Sequence, residues 1–371
     1  MKHLKLAFIF LFSLVFYLNT SAQEIKHIQS FDGEIIEGRL NMPDGNFKNK
    51  IVIDVPGSGP FTYKTKRKIG SKVFNYHDYF ADEFTNRGIA YFSYSTRYTQ
   101  PDSTPPHFDK VDKEKFYSYT PMIKIKDLEA IITFLKKEKR LASCEFILLG
   151  WSSGSIIASE VAARELVTVD ALFLAGAPTD DVYSTILWQH SGESSMINMR
   201  RFFDSDNDGV IRMKEYENGH PAAKARMGGT KFKQLDMNQD SLLTAEDFRI
   251  KLQPRLQQIR SAIEEKNNDW IWTNFFRVGV PWITEHRKLE PNKTRLLKLD
   301  IPVYVFHGSD DAKASVEGIL ALGKKAKDLN KNNLHIFVFQ ESNHSLDFPV
   351  WVLRDSIPPG LKTLFDKVEK L

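Results

Sequence analysis

A serine between two glycines is the residue of this chain best suited to covalent chemistry. Gly150-Trp151-Ser152-Ser153-Gly154 follows an apolar run at residues 146–149 and precedes a helical stretch that begins at Ser155. A strand-to-helix turn this tight needs glycines, because side chains would collide with neighbouring backbone. The turn lifts the Ser152 hydroxyl out of the sheet and aims the helix N-terminus at a developing oxyanion. The pattern predicts a nucleophilic serine; the alternative is a Gly-Ser loop that only turns the chain.

Apolar runs alternate with helical stretches along most of the chain. Two strands at 24–31 and 34–42, joined at Asp32-Gly33, come first. Apolar runs then lie at 51–55, 89–94, 146–149, 171–175, 303–306 and 335–339, and helical stretches at 76–87, 120–139, 155–165, 315–329 and 359–371. This alternation predicts a mostly parallel sheet with helices on both faces. It stops between residues 183 and 288, where a polar, helical region is inserted.

The serine turn and the alternation together resemble the α/β-hydrolase family, over residues 34–371 apart from the insertion. That resemblance implies a triad in the chain order Ser, Asp, His. It implies Asp311 as the acid, with Asp310 as the alternative, because both follow the apolar run 303–306. It implies His344, after the last strand, as the general base; the alternative is a surface loop histidine. His307, in the same segment as the acid, is expected to be structural.

The resemblance also assigns a role to each group. His344 would take the proton of Ser152, which is otherwise a poor nucleophile, and Asp311 would orient the imidazole and stabilise its charged form. Two backbone N–H groups would form the oxyanion hole, one from Ser153 and one from the loop Gly57-Ser58-Gly59. Ser58 is the expected second donor; the alternative for this loop is an ordinary tight turn.

An acidic loop at residues 204–215 resembles the EF-hand calcium loop. Gly209 permits the sharp turn at its sixth position, and oxygen ligands are expected at positions 1, 3, 5, 7 and 12. These ligands are Asp204, Asp206, Asp208, the Val210 carbonyl and Glu215. Calcium prefers such oxygen-only shells, so the loop predicts a calcium site; the alternative is a solvated acidic turn.

A second loop at residues 236–247 departs from the pattern twice. Ser241 replaces the turn glycine, and the last ligand is an aspartate, which is shorter than glutamate by one methylene. Its expected ligands are Asp236, Asn238, Asp240, the Leu242 carbonyl and Asp247. This site is expected to be weaker, and the alternative is a loop that only pairs with the first. The ions would hold the inserted cap in shape and take no part in the triad chemistry.

The remaining sequence features concern localisation, net charge and the single cysteine. Residues 1–22 hold two early lysines, an apolar run and small residues before Gln23, which predicts a signal peptide and export to the periplasm or medium; an uncleaved membrane anchor is the alternative. Lys plus Arg number 51 against 47 Asp plus Glu, which gives no argument for nucleic acid. The single cysteine, Cys144, is expected to be a buried thiol.

The sequence thus predicts a signal peptide (1–22), a hydrolase core in two parts (23–182 and 289–371) and a helical cap (183–288) with two EF-hand-like loops. We expect an exported serine hydrolase that cleaves small carboxylic esters through an acyl-enzyme on Ser152, with no cofactor for the chemistry and no stable membrane span after leader removal. Two alternatives stay open: a serine peptidase or aminoacyl hydrolase of the same fold, acting on short peptide-like substrates, and a non-catalytic calcium-binding module.

Overall fold

The computed structural model describes residues 23–371, and the predicted signal peptide lies outside this part of the chain. An eight-stranded sheet forms its centre. Its strands are β1 (Gln23–Gln29), β2 (Ile35–Asn41), β3 (Lys50–Val55), β6 (Ala90–Tyr94), β9 (Glu145–Trp151), β10 (Ala171–Ala175), β13 (Val303–Gly308) and β14 (Leu334–Phe339). They lie in the order β1-β2-β6-β3-β9-β10-β13-β14. The first two strands run antiparallel to their neighbours, and the six strands from β6 to β14 are parallel.

Three two-stranded sheets lie outside the central one within residues 23–371. They are formed by β4 (Lys66–Ile69) with β5 (Lys72–Asn75), β7 (Thr99–Pro101) with β8 (Asp109–Val111), and β11 (Ile211–Arg212) with β12 (Leu242–Leu243). The helices of the core are α1 (Tyr76–Asn86), α2 (Lys113–Phe116), α3 (Pro121–Lys137), α4 (Gly154–Arg164), α14 (Val316–Asp328), α15 (Phe348–Arg354) and α16 (Pro359–Lys370). Those between β10 and β13 are α5 (Val182–Gln189), α6 (Glu193–Phe203), α7 (Met213–Asn218), α8 (Pro221–Arg226), α9 (Phe232–Leu235), α10 (Ala245–Glu264), α11 (Asn268–Asn274), α12 (Val280–His286) and α13 (Asn292–Arg295).

Helices cover both faces of the central sheet because its inner strands are apolar on both sides. Successive side chains of a strand point to opposite faces. Ile51 and Ile53 of β3 therefore pack in one core cluster with α3 and α4, whereas Val52 between them packs in a second cluster with α1 and α16. The sheet is thus the middle layer of three, as the alternation predicted.

The predicted site residues follow strands that end at one edge of the sheet. The carboxyl ends of parallel strands meet at the same edge, where α/β proteins bind ligands. Ser152 follows β9, Ser58 follows β3, Asp311 follows β13 and His344 follows β14. The topology accordingly brings four segments that are far apart in sequence to one rim.

The inserted region has a hydrophobic core of its own. Side chains from α6, α7, α9 and α10 form a third cluster around the short pair β11–β12. Ile211 lies opposite Leu243 in that pair, as expected if the two acidic loops face each other. Within residues 23–371, we find no helix with both the length and the apolar character that a membrane crossing requires.

The pair β4–β5 is an element that the sequence analysis did not predict. Its first strand reads Lys66-Arg67-Lys68-Ile69 and lacks the alternation of apolar and polar residues that marks a half-buried strand. The turn at Gly70, with φ +59°, closes the hairpin instead. The hairpin lines one cavity together with Pro60 and Ser345, which are close in sequence to Ser58 and His344.

Candidate active site

The turn that carries Ser152 is strained in the way a nucleophile elbow requires. Ser152 has φ +53°, a left-handed conformation that non-glycine residues rarely adopt. A Cβ on Gly150 would lie 2.7 Å from the Cα of Ser155, and one on Gly154 would lie 2.1 Å from the carbonyl oxygen of Val55. Only glycine fits at either position, so the two glycines of the motif are needed for packing of β9, β3 and α4.

His344 and Asp311 form a directly hydrogen-bonded pair. His344 Nδ1 lies 2.7 Å from Asp311 Oδ2, and the other carboxylate oxygen accepts N–H bonds from Lys313 at 2.7 Å and Ala314 at 3.0 Å. Asp311 is fully buried, whereas 29% of the His344 side chain is exposed. Burial alone would raise the pKa of Asp311, but the hydrogen bond and charge of His344 outweigh it, so that the pKa is lowered and the carboxylate stays charged.

Asp310 and His307, which belong to the same segment, have partners other than His344. The carboxylate of Asp310 pairs with Arg201 of α6 at 3.2 Å rather than with His344. His307 is fully buried; its Nε2 lies 3.1 Å from the carbonyl oxygen of Ala314 and 3.4 Å from Asp311 Oδ2. The structure thus puts Asp311, and not the alternative Asp310, behind the imidazole.

The end of β10 connects the serine to the histidine. The Ser152 N–H donates to the carbonyl oxygen of Ala175 at 2.9 Å. Gly176, the next residue, has φ +55°, and a Cβ there would lie 2.8 Å from His344 Nδ1. Both predicted catalytic side chains therefore flank the same short turn, and the histidine packs where only a glycine leaves room.

The predicted oxyanion loop lies against the elbow. A Cβ on Gly57 would be 3.3 Å from the Ser152 Cβ, and the hydroxyls of Ser58 and Ser153 are 2.8 Å apart. Ser153 directly precedes α4, so its N–H has no acceptor within the helix. The two residues expected to donate to an oxyanion are thus neighbours beside the serine.

A buried lysine that the sequence analysis missed holds this loop from behind. Lys124 of α3 is 1% exposed, and its ammonium donates to the carbonyl oxygens of Pro56 and, at 2.9 Å, Gly57. Burial lowers the pKa of Lys124 to about 7, against the attraction of Asp54. In a trans peptide the C=O and the following N–H point in opposite directions. Because Lys124 binds the Gly57 carbonyl, the N–H of Ser58 is turned away from α3.

The position of Lys124 on its helix could have been recognised as unusual from the sequence. Lys124, Leu128, Ile131 and Leu135 share one helical face, and all four are buried. A lysine on a core-facing stripe is rare unless its ammonium has partners. Here the partners are backbone carbonyls of a loop whose course is not visible in the sequence.

The cleft that opens on Ser152 is small and partly walled by the insertion. Its volume is about 50 Å³. The lining residues are Ser58, Ser152, Ser153, Pro178, Val182, Thr185, Ile186, Gln189, Phe276, Lys313 and Ala314. The contributions of α5 and of Phe276 mean that the inserted region forms one side of the cleft.

The first residues of the two acidic loops have matching surroundings. Asp204 Oδ2 accepts the N–H of Gly209 at 2.9 Å, and Asp236 Oδ2 accepts that of Ser241 at 3.1 Å. Ser241 has φ +66°, close to the +86° of Gly209, so the serine adopts the turn that the glycine makes. The Oδ1 atoms of both aspartates are buried without a hydrogen-bond partner, which leaves one orphaned acceptor in each loop.

The last residues of the loops also correspond. Glu215 accepts backbone N–H bonds from the second and ninth residues of its loop, each at 2.9 Å. Asp247 accepts the same two bonds in the second loop, both at 2.8 Å. Asp247 therefore makes the same two backbone contacts as Glu215, although its side chain is shorter. The replacement of the turn glycine by Ser241 and of the last glutamate by Asp247 leaves the geometry of the second loop intact.

The middle ligands differ in their charge partners. Carboxylate oxygens of Asp204, Asp206 and Asp208 lie within 4.8 Å of one another. Arg212 pairs with Asp208 at 2.7 Å and approaches Asp206 at 3.6 Å, and its guanidinium lowers the pKa of Asp208. In the second loop Asn238 donates to Asp240 at 2.8 Å. The remaining expected ligands, Val210 and Leu242, would contribute backbone carbonyls.

Comparison with solved structures identifies the fold. The sequence matches no protein-family model and no curated protein. Among solved structures, a highly thermostable carboxyl esterase from Bacillus coagulans matches with a TM-score of 0.54 and 14% identity, over 94% of this chain and 100% of that one. The chain has an α/β-hydrolase fold. An esterase of Pyrococcus furiosus (TM-score 0.48, 13% identity, 94% and 90% covered) and one of Exiguobacterium antarcticum (0.47, 15%, 93% and 99%) are also similar.

The predictions for Cys144 and for the loops that carry the site residues can be compared with the structure directly. Cys144 is 8% exposed, and burial raises the pKa of its thiol to about 11, so it is the buried thiol that was expected. Ser152, Asp311 and His344 lie after the strands β9, β13 and β14, on the loops that the sequence resemblance implies.

Proposed function

We propose that this chain is a serine hydrolase that cleaves carboxylic esters through an acyl-enzyme on Ser152. The observation that carries the proposal is the buried, charged Asp311 bound to His344, beside the strained turn that presents Ser152. A structural ion pair would not need a serine held at φ +53° next to it. Strain of this kind persists where function requires it.

The chemistry follows from the positions of these groups. His344 takes the Ser152 proton as the hydroxyl attacks the ester carbonyl, and Asp311 stabilises the resulting imidazolium. The N–H groups of Ser153 and Ser58 stabilise the oxyanion. His344 then gives its proton to the leaving alcohol, and water repeats the sequence on the acyl-enzyme to release the acid.

The cleft at Ser152 favours a short acyl group. Its volume of about 50 Å³ corresponds to roughly three or four water-sized groups. An acetyl group fits such a space once its carbonyl oxygen enters the oxyanion hole, whereas a long alkyl chain does not. We therefore propose acetyl and similarly short esters as substrates.

A panel of p-nitrophenyl esters and aminoacyl p-nitroanilides tests the reaction class. Wild type should hydrolyse the acetate far faster than the octanoate and the anilides, and Ser152→Ala should lose roughly 10⁴-fold or more of kcat. Ser118→Ala, which changes an exposed serine whose hydroxyl donates to the Lys115 carbonyl at 2.7 Å, is the matched control and should keep its activity. Faster turnover of the anilides would favour a peptidase instead, and unchanged activity in Ser152→Ala would overturn the proposal.

We also propose that the acidic loops bind calcium and thereby stabilise the inserted region. The orphaned, buried Oδ1 atoms of Asp204 and Asp236 support this, because an oxygen in that position needs a cation or a donor. Calcium, when bound, would balance the like charges of each loop. The first loop has three carboxylates before its turn and a glutamate after it, so it should bind more tightly than the second.

The first loop adjoins the catalytic loops through α6. This helix ends at Phe203, directly before Asp204. Ser194 donates to the carbonyl oxygen of Ala312 at 2.7 Å, and Arg201 donates to that of Glu341 at 2.9 Å. A metal that orders the first loop would therefore also steady the segments that hold the acid and the histidine.

Export remains a proposal that rests on residues 1–22. The calcium present in the periplasm or in the medium would fill even a weak site, which agrees with a structural role for the metal. N-terminal sequencing of the protein recovered from cells should give Gln23 as the first residue. A full-length protein in the cytoplasmic fraction would contradict export.

A further inference from the structure

A second cavity adjoins the site on the side of the histidine. Its volume is about 390 Å³, several times that of the cleft at Ser152. It is lined by residues 60–62, which follow the Gly57-Ser58-Gly59 loop, by the β4–β5 hairpin, by the start of α15, and by Asp109 and Arg277. Ser345, directly after His344, also lines it.

This cavity carries an excess of positive charge. Lys66, Arg67 and Lys68 line one wall, and none of the three has a carboxylate within 4.0 Å among residues 23–371. Asp109 is the acidic residue of the lining, and Arg277 already holds it at 2.7 and 2.9 Å. Asp109 and Arg277 cancel each other, and the charge of Arg67 acts on the buried carboxyl of Asp54. Lys66 and Lys68 are therefore the cations of the hairpin whose charge stays uncompensated.

Two of the three hairpin cations pack against aromatic rings, whereas Lys68 is exposed. Arg67 lies over the ring of Tyr76, 4.2 Å from its centroid, and Lys66 lies 5.6 Å from that of Phe108. Both are half-buried. Packing of this kind orients a cation, and partly desolvated cations without partners favour an anionic ligand through charge-assisted hydrogen bonds.

The cavity lies where a leaving group would depart. Pro60 of its lining is two residues after Ser58, and Ser345 is one residue after His344. Consecutive Cα atoms are about 3.8 Å apart, so the Cα atoms of these two lining residues lie within roughly 4–8 Å of those of Ser58 and His344. His344 protonates the leaving alcohol, which therefore leaves on the side of the imidazole.

We infer that this cavity binds the alcohol part of the ester, and that this part carries an anionic group such as a carboxylate, sulfate or phosphate. The inference rests on the proposed ester hydrolysis and names its substrate class. The acyl part occupies the small cleft, the ester bond lies at Ser152, and the anion lies beside Lys66 and Lys68, which share one face of β4.

Two matched substrates test the inference: 4-acetoxybenzoate, and its methyl ester, which lacks the negative charge. The ratio of their kcat/KM values should fall about tenfold in Lys66→Gln/Lys68→Gln relative to wild type. Because both enzymes face the same pair of substrates, the intrinsic reactivity of the leaving groups cancels. Lys139→Gln, which removes an exposed cation before β9 at the opposite edge of the sheet, is the control and should leave the ratio unchanged.

Binding of the product to Ser152→Ala separates the two proposals. Calorimetry should detect 4-hydroxybenzoate binding that weakens about tenfold with the two lysine substitutions, and no such change for methyl 4-hydroxybenzoate. Turnover of both acetates with an unchanged ratio and equal product binding would overturn the anion site and leave the ester hydrolase standing. Charge-dependent product binding without turnover of either acetate would support the anion site and overturn the hydrolase.

Discussion

Replacing Lys124 by methionine should slow turnover while the protein stays folded. Lys124 holds the carbonyl oxygens of Pro56 and Gly57, and through the Gly57 peptide it orients the N–H of Ser58. Methionine keeps the length and apolar stem of the side chain but donates no hydrogen bond. The substitution therefore frees the loop without leaving a large cavity.

The size of the effect follows from the two consequences of losing the ammonium. Removal of one oxyanion donor costs about 10²–10³ in kcat, and a donor that is present but poorly aimed should fall at the lower end, near 100-fold. Each carbonyl left without a donor costs about 1–3 kcal/mol of unfolding free energy, and relief from burying the ammonium offsets part of this. The 100-fold loss of kcat corresponds to about 2.7 kcal/mol of activation free energy, and the net loss of unfolding free energy should be of similar size or smaller, which a folded domain of about 5–15 kcal/mol can bear.

Steady-state kinetics on p-nitrophenyl acetate, with urea unfolding alongside, measures both quantities. The loss should appear in kcat, with KM nearly unchanged, because the oxyanion forms only after the substrate is bound. Lys126→Met on the same helix is the control, since the Lys126 ammonium lies over the ring of Phe31 and makes no hydrogen bond to residues 56–59. A folded Lys124→Met protein with the kcat of wild type would refute the role assigned to Lys124.

Three further predictions concern the loops and the triad. Asp204→Ala should lower the melting temperature in calcium and not in excess chelator; equal lowering in both would contradict a metal site. The pKa of Asp311 is lowered from 3.8, so its contribution to stability is present above that pH and is lost as pH falls through the folded value. Wild type and Asp311→Asn should therefore converge in urea unfolding on acidification, and a constant difference would count against a charged Asp311. Gly176→Ala should displace His344 and abolish activity, while Gly45→Ala, whose Cβ meets no atom within 4 Å, should be silent at the active site.

Much of the candidate site could be predicted because its pattern is local. The glycines around Ser152 act within five residues, and the strands that precede Asp311 and His344 are recognisable as apolar runs. Once these strands are parallel, their ends must meet at one edge. The correspondence of Ile211 with Leu243 was likewise visible from the equal spacing within the two loops.

The features that escaped prediction depend on contacts between distant segments. Lys124 lies 67 residues from the Gly57 carbonyl that it binds, and its role exists only after α3 packs behind β3. The strand Lys66–Ile69 reads as a solvated run of charge, yet pairing with Lys72–Asn75 and stacking of Arg67 on Tyr76 turn it into a cavity wall. Local propensity carries no information about either contact.

Labelling with a fluorophosphonate, followed by mass mapping of the modified peptide, tests the nucleophile most directly. The adduct should fall on Ser152 alone and should vanish in Ser152→Ala. A modified residue elsewhere, or no adduct on folded wild-type protein, would contradict covalent catalysis by this serine.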